Sequence, residues 1–272
     1  MYRHAVEPNM ITYGATTGAC TRGNAWDQGL LLFEEATQRS SFQPDMITFS
    51  TIIGACQGGE WQCALCLLKD IARGSLQLSI VPCCAAISTC HQGQQWQHVC
   101  SLLEQIRQHS LEHNIVIYNV ATSSFEKRHE WKRALHLLQE VGWRRLEADV
   151  VTYSGAVSSS EKAMQWERAL GLLDDMEQLL LEPDVIIYNS AISACEKSRK
   201  WAWALELLRR MQGKRLDPDV ITYNAVISSC GKDQNVELAL AFFHEMEHLE
   251  ICPDVITYSA TISACEKAGE WM

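Results

Sequence analysis

Tryptophan marks a constant interval along this chain: Trp26, Trp61, Trp96, Trp131, Trp166 and Trp201 stand 35 residues apart, and Trp271 falls two intervals further on. A unit of this length cannot bury its own apolar face, so each copy must pack on its neighbours in a quasi-one-dimensional stack. Tyr118, Tyr153, Tyr188, Tyr223 and Tyr258 keep the same step, with Tyr13, Phe49 and Cys83 at that place in the earlier units. There the spacing slips to 36 and then 34 as loops gain and lose a residue, a change that loops absorb cheaply. Counted from three residues before each aromatic, seven units start at residues 10, 46, 80, 115, 150, 185 and 220 and fill 10–254. Residues 1–9 read as the tail of a preceding unit and 255–272 as an incomplete eighth, so the chain is expected to be a fragment of a longer array.

The unit 185–219 predicts two amphipathic helices. The first runs from about Ile187 to Ser198, with Tyr188, Ala191, Ile192 and Cys195 on one face; the second runs from about Trp201 to Gln212. Ala204, matched by Ala64, Ala134, Ala169 and Ala239, would allow close helix contact. Gly213 is expected to end the second helix, Pro218 to break the chain and Asp219 to cap the incoming helix. The fold expected is all-α, a right-handed α-solenoid of stacked helix-turn-helix repeats.

The interval also disposes of several chemical motifs. Of the 12 cysteines, Cys20, Cys56, Cys90, Cys195, Cys230 and Cys265 share one column. Neighbouring helix pairs lie about 10 Å apart, beyond the ~7 Å Cα limit of a disulfide, so this column reads as buried packing. Cys63 and Cys66 form a lone C-x-x-C without a second motif of ligand spacing. His244-Glu245-Met246-Glu247-His248 fits the zinc-protease pattern, but it aligns with Asp174-Asp175-Met176-Glu177-Gln178, where Met faces the core and its flanks are solvated. No metal, cofactor, small-molecule substrate or catalytic role is expected. At 47% hydrophobic and 21% charged, the chain has no apolar run of the ~20 residues that span a bilayer, and no membrane partner is expected.

Pro218-Asp219-Val220-Ile221-Thr222-Tyr223-Asn224-Ala225-Val226-Ile227-Ser228 resembles the start of a pentatricopeptide repeat, and Pro253-Asp254-Val255-Ile256-Thr257-Tyr258-Ser259 is similar. The resemblance covers essentially the whole chain and is more specific from Ile115 onward. It implies a groove for single-stranded RNA lined by the first helices, and an organellar setting, chloroplast ahead of mitochondrion. It also implies that each repeat reads one base through its fifth and last residues. Asn119 with Asp149, Asn189 with Asp219, and Asn224 with Asp254 would then prefer U, and Ser154 with Asp184 would prefer G, giving U-G-U-U. Ser50 and Ser259 hold the same fifth place, whereas Gly14 has no side chain to read with and the Cys84 unit fits no clear pairing. The β-branched second-place residues Val116, Val151, Ile186, Ile221 and Ile256 would wedge between bases; burial between helices is their alternative role. The column Lys127, Lys162, Lys197, Lys232 and Lys267 would contact phosphate, or else complement the helix dipole. Four such lysines would give a salt slope of about -2.8 for single-stranded RNA. A net charge of -10 stands against nucleic acid as a sum, but much of the acid sits on second helices. The rival reading is a protein-binding scaffold of the tetratricopeptide type.

Overall fold

The computed structural model describes residues 10–23, 26–38, 45–56, 60–73, 79–109, 114–126 and 130–268. Among them are fifteen α-helices and no strand. The first helix of each repeat is α1 (Met10–Arg22), α3 (Met46–Ala55), α5 (Ile80–Gln92), α7 (Ile115–Glu126), α9 (Val150–Lys162), α11 (Val185–Lys197), α13 (Val220–Lys232) and α15 (Val255–Ala268). The second is α2 (Trp26–Gln38), α4 (Trp61–Arg73), α6 (Trp96–Gln108), α8 (Trp131–Trp143), α10 (Trp166–Gln178), α12 (Trp201–Gly213) or α14 (Val236–His248). Every tryptophan of the founding column therefore opens a second helix, apart from Trp271, which lies outside the described residues.

Two compact units make up the chain, residues 1–124 and 125–272. In the first, α3 packs between α1 and α5, and the second helices α2 and α4 lie against the first helices that flank them. In the other, α9, α11, α13 and α15 pack in succession, with α10, α12 and α14 set against the first helices of their own and the following repeats. The core of this unit is a row of equivalent side chains. Tyr188, Ala191, Ile192 and Cys195 of α11 are fully buried, as are Leu207 and Met211 of α12, and their counterparts in α13 and α10 continue the row. Each such aliphatic contributes roughly 1.5–3 kcal/mol by leaving water. The alanine column is fully buried throughout, so no larger side chain holds the helices apart there.

Helix starts and stops are local. Asp45, Asp149, Asp184 and Asp219 are N-caps whose carboxylates accept the third-residue backbone N–H at 2.8–2.9 Å. A carboxylate there satisfies an otherwise orphaned donor and complements the positive end of the helix. Gly213 is the last residue of α12, as its place in the sequence suggests, but the left-handed residue that turns the chain is Arg215, at φ 59°. Arg145, Leu180 and Glu250 take the same conformation at the 35-residue interval. In each case the following residue (Leu146, Leu181, Leu216 or Ile251) returns its N–H to a buried residue five positions back, and the side chains of Leu181, Leu216 and Ile251 pack against the core.

Leu180 is 89% exposed at φ 58°. Left-handed backbone costs a non-glycine residue about 1–2 kcal/mol, while glycine loses about 0.4–1 kcal/mol more chain entropy on folding. Leu180→Gly is therefore expected to raise stability by about 0.5–1 kcal/mol in urea denaturation; a fall would mean that the leucine side chain packs more than its exposure indicates.

The cysteine column behaves as packing. All described thiols are free, and Cys56, Cys90, Cys195 and Cys230 are buried. Burial pushes the Cys195 thiol up to about 12 and that of Cys90 to about 11, far from thiolate reactivity. Among the described residues no group of three His, Cys, Asp or Glu side chains could hold a metal, His244 and His248 included. No described helix is long and apolar enough to cross a membrane.

Candidate functional site

The first helices begin with the residues singled out in sequence. At the second place Ile47, Val81, Val116, Val151, Ile186, Ile221 and Ile256 are 52–75% exposed. Burial between helices does not occur; a ridge of stiff aliphatic side chains stands in solvent on each unit. β-Branching leaves these residues few rotamers, so the ridge holds its shape without packing. In the first unit, Ile47 and Val81 bound a shallow pocket of about 320 Å³ that is also lined by Ser50 and Ser79, the fifth and last residues of one repeat.

Between the ridges of the second unit lies a recurring polar cluster. The Asn189 amide nitrogen donates to both Asp219 carboxylate oxygens, at 3.0 and 3.2 Å, and that of Asn224 donates to Asp254 at 3.1 Å. These are the fifth and last residues of one repeat, brought together because the last residue caps the next first helix. Asp219 Oδ1 accepts the Thr222 N–H while also taking the asparagine. Asp254 is held the same way, and its carboxyl lies below the usual carboxylate range, chiefly because the Thr257 N–H donates to it, with further help from the Thr257 hydroxyl and Asn224. Both asparagines are only 8% exposed. Each amide has a second N–H and a second carbonyl lone pair, so the cluster leaves hydrogen-bonding capacity unspent.

The serines at the fifth place are arranged otherwise. Ser50 and Ser259 donate to the first carbonyl of their own helices, Met46 and Val255, at 2.6 and 2.7 Å. Their protons are used, and lone pairs remain. Ser154 is half-buried, while Asp184 is exposed and caps α11 through the Ile187 N–H. Asn119 is half-buried in the first unit, and Asp149 caps α9 in the second.

The lysine column has partners within the fold. Lys162 Nζ lies 2.6 Å from Glu126, Lys197 2.7 Å from Glu161 and Lys232 2.8 Å from Glu196, each glutamate on the preceding first helix. Part-exposed pairs of this kind contribute up to about 1 kcal/mol each. At the place where the next glutamate would stand the chain has Gly231, and Lys267 is exposed with no ion pair among the described residues. Lys127 lies outside the described residues. The glutamates were legible as a column, at Glu126, Glu161, Glu196 and Glu266, but nothing in the sequence aligned them with lysines one repeat away. Thr222 and Thr257, whose hydroxyls reach the asparagines, also escaped notice, because a third-place threonine reads as a capping residue.

Against known proteins, the model of the PPR repeat family matches residues 218–267, and that of the pentatricopeptide repeat domain matches residues 171–233. No curated protein matches the chain by sequence. Among solved structures it is similar to the pentatricopeptide repeat protein PPR10 from maize, at 16% identity and a TM-score of 0.66, over 98% of this chain and 42% of that one. PPR10 in complex with an 18-nt psaJ RNA element matches at 16% identity and a TM-score of 0.57, over 98% of this chain and 45% of that one. The PPR domain of Arabidopsis thaliana protein-only RNase P 1, in complex with tRNA, matches at 12% identity and a TM-score of 0.59, over 66% of this chain and 95% of that one. The chain spans less than half the length of the maize protein, and at these identities the likeness speaks for the fold. The two family matches identify residues 171–267 as pentatricopeptide repeats, and helix pairs at the same 35-residue interval continue through the rest of the described chain.

Proposed function

We propose that the protein binds single-stranded RNA, one base per repeat, with the fifth and last residues of each repeat reading the base edge and the second-place ridges separating successive bases. The observation that carries this is the joined Asn–Asp pair, repeated at Asn189–Asp219 and Asn224–Asp254 beside exposed Ile186, Ile221 and Ile256. Unpaired bases expose both an apolar face and a Watson–Crick edge, which is the combination such a surface complements. PPR10 and the RNase P domain were solved with RNA, which agrees with this reading. The spare N–H and lone pair of each amide suit the alternating acceptors and donor of uracil. The half-buried Ser154 hydroxyl has lone pairs that can accept the guanine N1–H. The repeats from Asn119, Ser154, Asn189 and Asn224 are assigned U-G-U-U, and the cellular setting is proposed to be organellar RNA metabolism, chloroplast ahead of mitochondrion. Selection from randomised single-stranded RNA should enrich a short U-rich motif containing one G; a pool returning without sequence bias would end the assignment.

Phosphate contact falls chiefly to Lys267. Lys162, Lys197 and Lys232 are neutralised by glutamates, so the salt slope is expected to be much shallower than four free lysines would give. Lys267→Ala should remove about 0.7 from the slope of log K against log salt, and Lys197→Ala should leave it nearly unchanged. Equal losses in the two variants would show that RNA displaces the glutamates.

A further inference from the structure

Thr222 and Thr257 belong to neither reading column, yet each touches the fifth-place amide of the preceding repeat. Thr222 Oγ1 lies 2.5 Å from Asn189 Oδ1, and Thr257 Oγ1 lies 2.6 Å from Asn224 Oδ1. Each hydroxyl accepts its own cap residue's backbone N–H, from Asp219 at 3.1 Å and from Asp254 at 3.0 Å. Its single proton is left for one of two acceptors: the amide oxygen, or the cap carboxylate at 2.9 Å in both repeats. The amide oxygen is the nearer. On its other side the amide nitrogen donates to that carboxylate. A flipped amide would set carbonyl oxygen against carboxylate, two acceptors with no proton between them, and would turn the hydroxyl from donor to acceptor, its proton diverted to the carboxylate at the longer 2.9 Å distance. The hydroxyl and the carboxylate therefore hold the carboxamide in one orientation from opposite sides, which fixes where its spare N–H and spare lone pair point.

We infer that the third-place threonine of the following repeat is a positioning residue for base selection, Thr222 for Asn189 and Thr257 for Asn224. Each of these bases is then specified by three side chains, the third borrowed from the next repeat. This rests on the base-reading role proposed above. The sequence carries the same coupling. Asn119, Asn189 and Asn224 are followed at this place by Thr152, Thr222 and Thr257, whereas Ser50, Cys84 and Ser154, which have no carboxamide to orient, are followed by Pro82, Ile117 and Ile187. Thr48, which follows Gly14, bonds its own cap, Asp45, at 2.6 Å, as Thr222 and Thr257 also bond theirs at 2.9 Å.

Thr222→Val removes the hydroxyl at nearly constant shape, and Thr222→Ser keeps it. Affinities for four RNAs that differ only at the base facing repeat 185–219 give the main readout. Discrimination among the four should fall about tenfold in Thr222→Val, persist in Thr222→Ser, and stay unchanged at the base facing repeat 220–254. A uniform loss over all four RNAs would show a capping role alone and overturn the inference. A second readout needs no RNA: the Asn189 side-chain amide protons should exchange faster with solvent in Thr222→Val than in the parent and Thr222→Ser, and equal exchange in all three would also overturn it. If the parent protects this amide yet shows no preference among the four RNAs, base reading itself fails and takes the inference with it, while the hydrogen bond stands.

Discussion

Replacing Asn189 and Asn224 together by threonine is expected to weaken binding to RNA carrying U at the two facing positions by roughly a hundredfold or more, and to move the preference there toward G. Each asparagine offers a base one N–H and one lone pair from an amide already held by an aspartate and a threonine. Losing such a paired contact costs about 1–3 kcal/mol of discrimination, and two bases in separate repeats should contribute nearly additively. A threonine hydroxyl at the fifth place can donate to its own helix as Ser50 and Ser259 do, leaving lone pairs for a guanine donor. The loss in RNA affinity should also exceed any loss in fold, since the helix caps at Asp219 and Asp254 keep their backbone bonds. Competition binding with U and G at the two positions checks this, and an unchanged order of preference would sink the code in these repeats.

Gly231→Glu should destabilise the protein by about 1–2 kcal/mol even though it completes the glutamate column opposite Lys267. A Cβ at Gly231 would stand 2.7 Å from Ala264 Cβ and 3.2 Å from its Cα, in the seam between α13 and α15. The backbone of α15 would have to move, and overpacking of this kind costs typically 1–3 kcal/mol. The ion pair gained is worth up to about 1 kcal/mol. Sterics therefore outweigh charge, and Gly231→Ala, with the same Cβ and no ion pair to offset it, should lose at least as much. Urea denaturation of both variants decides it; a Gly231→Glu protein as stable as the parent would mean that α15 can shift freely.

Much of this protein is local in origin and so was legible in its residues. The 35-residue interval, the helix that opens at each tryptophan, the aspartate caps and the buried tyrosine and alanine columns all depend on neighbours within one turn or one repeat. Helix ends were read less well. Among the described residues eight that are not glycine take positive φ, and a left-handed arginine or leucine carries no compositional mark. The candidate site was legible as columns but not as contacts. Nothing in the order of residues told whether the β-branched column faced solvent or core, and the exposed ridge answers that.

By itself, the sequence determined that the chain folds as stacked helix pairs and which columns recur, because hydrophobic periodicity and capping act within short stretches. Tertiary structure alone decided the partners of those columns. Lysine met glutamate, asparagine met aspartate and threonine, and glycine met alanine only where helices from successive repeats lie side by side. Such contacts join residues about 30 to 36 positions apart, and they depend on how one repeat is rotated against the next, a quantity set by packing across the seam rather than by the residues of either repeat alone.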